Sequence, residues 1–200
     1  MKIISIHIFS LYKEKPIILS SAFALSFVSI FQRGTLKEFL NFHSRLVVER
    51  LQKGSIAEVK LEQGICYAFS QAEKIGFAII CDEEYPKRVA IEFLIKILDN
   101  FKEFLTKEKI DLNSIEKDTD VKFDYIKNEI VEWQNPSKKD NLMKLQDQLV
   151  EVHNILTQSL NDLLKRGENL EGLMEKSEDL KVTSVNFYKQ SKKMNRCCKL

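Results

Sequence analysis

The sequence predicts an α+β protein, in which a mixed domain is followed by one long coiled-coil helix. Short β-rich runs and two amphipathic helical stretches alternate up to about residue 134. The polar segment "QNPSKKD" (134–140) ends that pattern, because the residue before a proline disfavours helix. Beyond it, apolar residues recur every three and four positions, which is the spacing of a supercoiling helix.

The elements of the first part are predicted in the order β-β-α-β-β-β-α. Two β-rich runs, "KIISIHIFSL" and "PIILSSAF", flank the turn "YKEK" and predict a hairpin. A helix follows in "TLKEFLNFHSRLVVERLQKG", where Gly54 ends the apolar periodicity. Three strands are predicted in "IAEVKLE", "ICYAFSQ" and "IGFAIICD". The second long helix begins near Pro86, and a short helix is predicted in "VKFDYIKNEIVEW". This order predicts helices packed on one sheet, an α/β sandwich.

Composition and residue patterns narrow the classes of function. The formal net charge of +2 is too small to predict nucleic-acid binding. No nucleotide-binding loop, metal-ligand cluster or catalytic triad is recognisable, so we expect no enzyme, no catalytic or metal-ligating residue, no cofactor and no small-molecule substrate. His7, His43 and His153 are scattered and are expected at the surface or at strand edges. Cys66 and Cys81 fall in predicted strands and are expected to be buried.

The second part carries an unbroken heptad pattern. Sixteen positions from 142 to 194 step by three and four residues without a slip, and eleven of them are apolar. Fully helical, the segment would be roughly 80 Å long. Its apolar stripe is narrow, so it needs partner helices, and it is expected to fold back or remain unordered when free. Besides Arg166, the layer positions are Leu142, Leu145, Leu149, Val152, Leu156, Ser159, Leu163, Leu170, Leu173, Ser177, Leu180, Ser184, Phe187, Ser191 and Met194.

Arg166 stands alone as a charged residue in this seam. One interpretation is a tolerated edge residue, whose stem packs while its guanidinium reaches water. The other is a buried polar layer, in which the five donors of the guanidinium must all find acceptors. Three glutamine carbonyls from three other helices would supply them. Such a layer would set the register of the assembly, because a slip would place Arg166 against leucine.

Two stretches of the second part, "LLKRGENLEGLMEKSEDL" and "NFYKQSKKMNRCC", resemble the R-SNARE motif. In the first part, "FQRG" (31–34), "VVER" (47–50), "DEEYPKRVA" (82–90) and "QNP" (134–136) resemble the longin domain of lipid-anchored synaptobrevin homologues. The resemblance implies a profilin-like longin domain over 1–133, a linker over 134–140, a SNARE motif over 141–195 and a lipidation tail over 196–200. It also implies that Arg166 is the ionic zero-layer residue, which faces glutamines from three Q-SNARE proteins.

The resemblance implies an R-SNARE that acts in vesicle docking and membrane fusion between the ER, Golgi, endosomes and vacuole. Such a protein cycles between the cytoplasm and the cytosolic face of these membranes. The longin domain of the family has an apolar groove that can hold the SNARE segment, and Phe39 and Phe42 are expected there. We expect Phe42 to be incompletely buried by the longin domain alone. The alternatives are a longin-based trafficking regulator that does not drive fusion, and an ordinary coiled-coil scaffold.

The last residues, "CCKL", have the Cys-a-a-X shape of a prenylation site, with Cys197 heading the box. A terminal leucine favours geranylgeranyl over farnesyl. One prenyl chain holds a protein weakly, so a second signal is expected from palmitoylation or a second prenyl group on Cys198 and from the basic tail. In the resembling family three residues follow the doublet, so which cysteine carries which lipid stays open. An unmodified thiol pair is the other alternative.

Overall fold

A single mixed sheet forms the centre of the molecule, in a computed structural model that describes residues 1–71, 74–137, 139 and 155–197. Side chains are described as far as residue 190. The strand order is β2-β1-β5-β4-β3-β6, and all neighbours are antiparallel except β3 and β6. The strands are Ile3–Ser10 (β1), Ile17–Phe23 (β2), Ile56–Leu61 (β3), Gly64–Ser70 (β4), Ile75–Cys81 (β5) and Ile155–Ser159 (β6).

Helices cover both faces of this sheet. One apolar cluster joins α1 (Ile30–Arg50) to one face, and a second joins α2 (Lys87–Glu108) and α3 (Tyr125–Glu132) to the other. Strands β1 and β5 are buried along their whole length, because helices pack on both of their sides. The predicted α/β sandwich and its order of elements are therefore confirmed, including the short third helix.

The contact between α1 and the sheet depends on a glycine. Gly76 lies in β5 beneath Val48 of α1, and a Cβ atom at this position would come within 2.4 Å of the Val48 side chain. The missing side chain lets the helix approach the central strand closely. As a result, α1 lies against β4 and β5 and presents its other side to the C-terminal part of the chain.

The described part of the heptad segment differs from the continuous helix that its spacing predicts. It begins with β6, continues through a 3-10 turn at Leu160–Leu163, and contains two helices, α4 (Leu170–Lys176) and α5 (Val182–Cys197). The physical reason is that a narrow apolar stripe cannot remain helical alone in water. In this chain its apolar side chains pack against α1 and the sheet instead. Within the described residues, no helix is long and apolar enough to cross a membrane.

The expectation that His7 and His43 lie at the surface is wrong. His7 is fully buried in β1 and His43 is 2% exposed in α1, because helices and the C-terminal segment cover both sides of the sheet. Burial, with a smaller contribution from the positive charge of Arg45, lowers the pKa of His7 to about 3. Burial lowers the pKa of His43 to about 4. His153 lies outside the described residues, and Cys66 and Cys81 are buried as predicted.

Acidification is expected to destabilise the fold through these two histidines. Their pKa values are lower in the folded chain than in the unfolded chain, so below about pH 6.5 the unfolded state binds protons that the folded state excludes. Stability is therefore lost as the pH falls toward the folded pKa values. By pH 5 each histidine should lower the free energy of unfolding by ~2 kcal/mol. Urea unfolding at pH 7 and pH 5 measures this loss, and His43→Gln should halve it. An equal loss in both proteins would contradict the account.

Candidate functional site

The candidate site is the surface between α1 and the folded-back segment 155–190, which we call the fold-back interface. Phe39 and Phe42 on α1 are 6% and 5% exposed, and they share one apolar cluster with side chains of this segment. The ring centroids of Phe39 and Tyr188 lie 5.9 Å apart. The segment contributes six buried side chains to the cluster: Leu160, Leu163, Met174, Leu180, Val185 and Tyr188.

The two predicted groove residues therefore lie at this interface. In the chain with its C-terminal segment in place, both rings are covered, and His43 packs between them with centroid separations of 6.3 Å and 5.2 Å. Their burial includes the contribution of the folded-back segment. The exposure of Phe42 in the longin domain alone stays a prediction.

A buried arginine joins three separate parts of the chain across this interface. The guanidinium of Arg45 on α1 donates to both carboxylate oxygens of Asp179, each at 2.8 Å. It also donates to Asp118 at 2.5 Å and 3.2 Å and to the carbonyl oxygen of Pro16. All five N–H donors of the guanidinium thus have an acceptor. We call Arg45, Asp118 and Asp179 the arginine clamp.

The clamp is shielded from water on the side of the folded-back segment. The side chains of Arg45 and Asp179 are each 7% exposed, whereas Asp118 is 49% exposed. Burial alone would lower the pKa of Arg45, but hydrogen bonds and charge from Asp179 and Asp118 raise it above its ordinary value. The guanidinium is therefore charged at every physiological pH. Removing a partner from such a buried ion pair is costly, because it leaves a charge without compensation.

Further polar contacts hold α5, the last helix of the folded-back segment, against the rest of the chain. The Glu38 carboxylate on α1 accepts hydrogen bonds from the Lys181 amide at 3.0 Å and from the Ser184 hydroxyl at 2.8 Å. Burial would raise the pKa of Glu38, but these bonds keep it below its ordinary value. The Tyr188 hydroxyl donates to Glu62 at 3.0 Å. These contacts fix the start of α5 on α1 and its middle near the β3–β4 turn.

The fold-back interface uses some of the predicted layer residues and leaves others exposed. Leu163, Leu180 and Ser184 are buried, and Leu170 and Leu173 are partly buried against the same cluster. By contrast, Leu156 and Phe187 are 41% and 54% exposed. Ser159 is exposed and Ser177 is half-buried. Four predicted layer residues lie outside the described residues: Leu142, Leu145, Leu149 and Val152. Two more, Ser191 and Met194, lie in α5 beyond the last described side chain.

Arg166 is exposed in the turn between the 3-10 segment and α4. The next residue, Gly167, has a φ of +86°, a left-handed conformation that glycine adopts without strain. The Glu168 carboxylate accepts a hydrogen bond from the backbone amide of Lys165 at 2.8 Å, which closes the turn. The chain therefore bends at the position where the heptad pattern carries its arginine. Cys197 is the last residue of α5, and Cys198 lies outside the described residues.

Sequence reasoning missed the arginine clamp and the non-layer residues of the interface. One signal for Arg45 was available, because it lies three positions after Phe42 and beside Leu46, next to the apolar stripe of α1. No comparable signal marks Met174 and Tyr188. They fall between the predicted heptad layers, and the heptad pattern predicts an assembled helix, not a folded-back chain.

Comparisons with known proteins agree with this architecture. The regulated-SNARE-like Longin domain matches residues 24–126, and the Synaptobrevin family matches residues 141–199. The synaptobrevin homolog YKT6 of Debaryomyces hansenii is 35% identical over 198 residues, which cover 99% of this chain and 98% of the relative. The YKT6 homolog of Saccharomyces cerevisiae is 34% identical over 99% and 98% of the two chains. The VAMP-like protein YKT61 of Arabidopsis thaliana is 34% identical over 92% and 90%.

A longin domain followed by a synaptobrevin segment defines a SNARE protein of vesicle trafficking, a class that is neither enzymatic nor cofactor-dependent. The chain belongs to the synaptobrevin homolog YKT6 family, with which it aligns over nearly its whole length. Among the described residues, no group of three His, Cys, Asp or Glu side chains is arranged to hold a metal ion.

Proposed function

We propose that this chain is an R-SNARE that joins three Q-SNARE helices in a four-helix bundle and thereby drives vesicle docking and membrane fusion. Its transport steps lie between the ER, Golgi, endosomes and vacuole. The observation that carries the proposal is the heptad seam with Arg166 in its eighth place, inside the synaptobrevin-like region 141–199. Progressive burial of the layers from the membrane-distal end would draw two anchored bilayers together.

Arg166 is the zero-layer residue in this proposal. In a four-helix bundle, its guanidinium would lie among apolar layers and would need acceptors from the three partner helices. Glutamine carbonyls satisfy it without adding a charge. The exposed position of Arg166 in the folded-back chain supports this role, because its guanidinium stays hydrated until the partners arrive.

The longin domain regulates the SNARE motif through the fold-back interface in this proposal. Leu163, Leu180 and Ser184 are buried against the longin domain, and the same three residues occupy predicted layers of the bundle. A side chain cannot occupy both environments at once, so the folded-back state and the assembled state exclude each other. Release of the segment must therefore precede or accompany assembly.

We assign the membrane anchor to the C-terminal tail. Cys197 and Cys198 carry the prenyl group and a second lipid, which is palmitate or a second prenyl group. The basic tail after Asp179 adds an attraction of ~1 kcal/mol per lysine or arginine to an anionic leaflet. Together these signals let the chain cycle between the cytoplasm and vesicle membranes. Mass spectrometry of the C-terminal peptide identifies the lipid on each cysteine.

Assembly of residues 137–200 with three Q-SNARE helices tests the proposal. We expect a stable complex with a rise in helicity on mixing. Arg166→Leu should change its register or its partner choice, because three glutamine amides would then lack a partner at a cost of ~1–3 kcal/mol each. Circular dichroism, melting and crosslinking of neighbouring helices report these changes.

Lys165→Leu is the matched control for Arg166→Leu. Lys165 is exposed and occupies no layer, and its substitution removes the same positive charge. It should leave the register and the melting temperature unchanged. If Arg166→Leu assembled with the parent's register and partners, Arg166 would have no zero-layer role. If no complex formed with any partner set, the chain would instead be a longin-based trafficking regulator.

A further inference from the structure

An exposed apolar surface lies on the longin domain away from the fold-back interface. Around the β2–α1 loop and α3, five large apolar side chains remain exposed, and Phe31 at 96% and Ile30 at 76% are the most exposed of them. We call this set the apolar patch: Met1, Phe27, Ile30, Phe31 and Val131. Isolated exposed apolar residues are ordinary, but a contiguous set indicates a contact surface.

The patch surrounds a groove of about 690 Å³. Met1, Phe27 and Val131 line the groove, together with basic side chains from α1. Ile30 lies one turn before Arg33 and two turns before Lys37 on the same side of α1, so it continues the wall of the groove beyond its mouth. Met1, Phe27, Val131 and Ile30 therefore form one surface. Phe31 follows Ile30 in the first turn of α1, outside the groove lining, and its fully exposed ring projects beside this surface.

The charge around the patch is positive. Four basic side chains line the groove: Lys2, Arg33, Lys37 and Lys127. Among the described residues, no acidic side chain lines it. Lys127 is neutralised by ion pairs with Asp120 and Asp124, and Arg33 donates to backbone carbonyl oxygens of its own loop. The N-terminal ammonium pairs with Asp82 and Glu84. Lys2 and Lys37 supply the remaining positive charge.

The ammonium groups of both lysines lie over aromatic rings. The Nζ of Lys2 lies 4.8 Å from the ring centroid of Phe27, and the Nζ of Lys37 lies 5.1 Å from that of Phe23. Some protein surfaces enter the boundary between lipid headgroups and acyl chains. They combine protruding phenylalanine and isoleucine side chains with lysines beside them. A pocket for an apolar peptide would enclose such side chains, whereas here they project outward.

The position of the patch also favours a bilayer. Strand register places Ile3, Phe23 and Cys81 at one end of the sheet, together with the β3–β4 turn that contains Glu62. The β2–α1 loop begins at this end, and Tyr188 of α5 reaches it through its bond to Glu62. The patch and the helix that leads to the tail thus approach the same end of the sheet.

We propose that the apolar patch, with Lys2 and Lys37, docks the longin domain on an anionic lipid bilayer. Phe31 and Ile30 enter the headgroup region while the two lysines face acidic headgroups. This contact does not depend on lipidation or on SNARE assembly, and it orients the longin domain against the membrane.

Vesicle binding tests the proposal with the full chain carrying Cys197→Ser and Cys198→Ser, so that no lipid contributes. Partition onto phosphatidylcholine vesicles with phosphatidylserine should fall at least tenfold with Phe31→Asp. Val182→Asp is the matched control, since Val182 is 76% exposed at the start of α5 and should leave partition unchanged. Lys37→Ala should lower partition about fivefold, the equivalent of ~1 kcal/mol, and Lys53→Ala at the opposite end of the sheet should not.

Insertion is measured separately with Phe31→Trp and brominated phosphatidylcholine mixed with phosphatidylserine. The parent's Trp133 is buried and stacks on Phe93 at 4.4 Å, so the parent should not be quenched. Quenching of the Phe31→Trp protein supports the proposal. Parent-like partition of Phe31→Asp, or absence of quenching in Phe31→Trp, overturns it and leaves a protein partner as the occupant of the patch.

Discussion

Replacing Asp179 by alanine is expected to release the C-terminal segment from the longin domain. The carboxylate accepts two hydrogen bonds from the buried guanidinium of Arg45, and its side chain is 7% exposed. Without it, the acceptors that remain for Arg45 among the described residues are the partly exposed Asp118 and a backbone carbonyl. We therefore expect a cost at the lower end of the range for broken buried pairs, ~3 kcal/mol, which shifts the opening equilibrium about a hundredfold. Small-angle scattering and amide exchange of α4 and α5 measure the opening.

The adjacent residue provides the control for this change. Substitution of Glu178 removes the same charge, but its side chain is 89% exposed and its ion pair is with the half-exposed Lys15. Such a surface pair contributes ~0–1 kcal/mol, so Glu178→Ala should keep the parent's dimensions and exchange rates. Asp179 and Glu178 both fall between heptad layers, so neither change should weaken an assembled bundle. If Asp179→Ala were as closed as Glu178→Ala, the clamp would have no role in holding the segment.

Met174→Ala and Phe187→Ala are expected to have opposite effects on the two states. Met174 is 1% exposed in the folded-back chain and occupies no layer, so its truncation should destabilise that state by ~2–5 kcal/mol. Phe187 is 54% exposed there and occupies a predicted layer. Its truncation should change the folded-back chain by no more than about 0.5 kcal/mol and should weaken the bundle instead.

Two measurements on the same proteins separate these effects. Amide exchange of the free chains reports the folded-back state, and melting of complexes with three Q-SNARE helices reports the bundle. Met174→Ala should raise exchange in α4 and α5 with an unchanged complex, whereas Phe187→Ala should lower the melting temperature of the complex alone. Equal effects of both substitutions in both measurements would contradict two distinct burial patterns.

The longin fold was predictable from the sequence because its signals are local. Alternating runs such as "KIISIHIFSL", the proline that precedes α2 and the apolar stripe of α1 each report their own element. The histidines were misjudged for a related reason. Burial of His7 depends on both faces of the sheet being covered, and that is a property of the packed molecule.

The fold-back interface could be predicted only in part. Phe39 and Phe42 came from the resemblance to the longin family, whereas the bond between Arg45 and Asp179 joins residues far apart in sequence without a periodic signal. The heptad seam describes a helix among partners, and Met174 and Tyr188 lie outside it. If the segment also packs in the proposed bundle, the heptad pattern reports only that packing, and the folded-back packing depends on tertiary contacts.

In the proposed function, folding back and SNARE assembly compete for the same residues, such as Leu163 and Leu180. The most direct measurement is the rate at which the full chain gains helicity with three Q-SNARE helices, followed by circular dichroism for the parent, Asp179→Ala and Glu178→Ala. We expect all three proteins to assemble, with Asp179→Ala faster than the parent by up to about a hundredfold and Glu178→Ala equal to the parent. Equal rates for all three proteins, or a complex in which α4 and α5 stay protected against the longin domain, would contradict it.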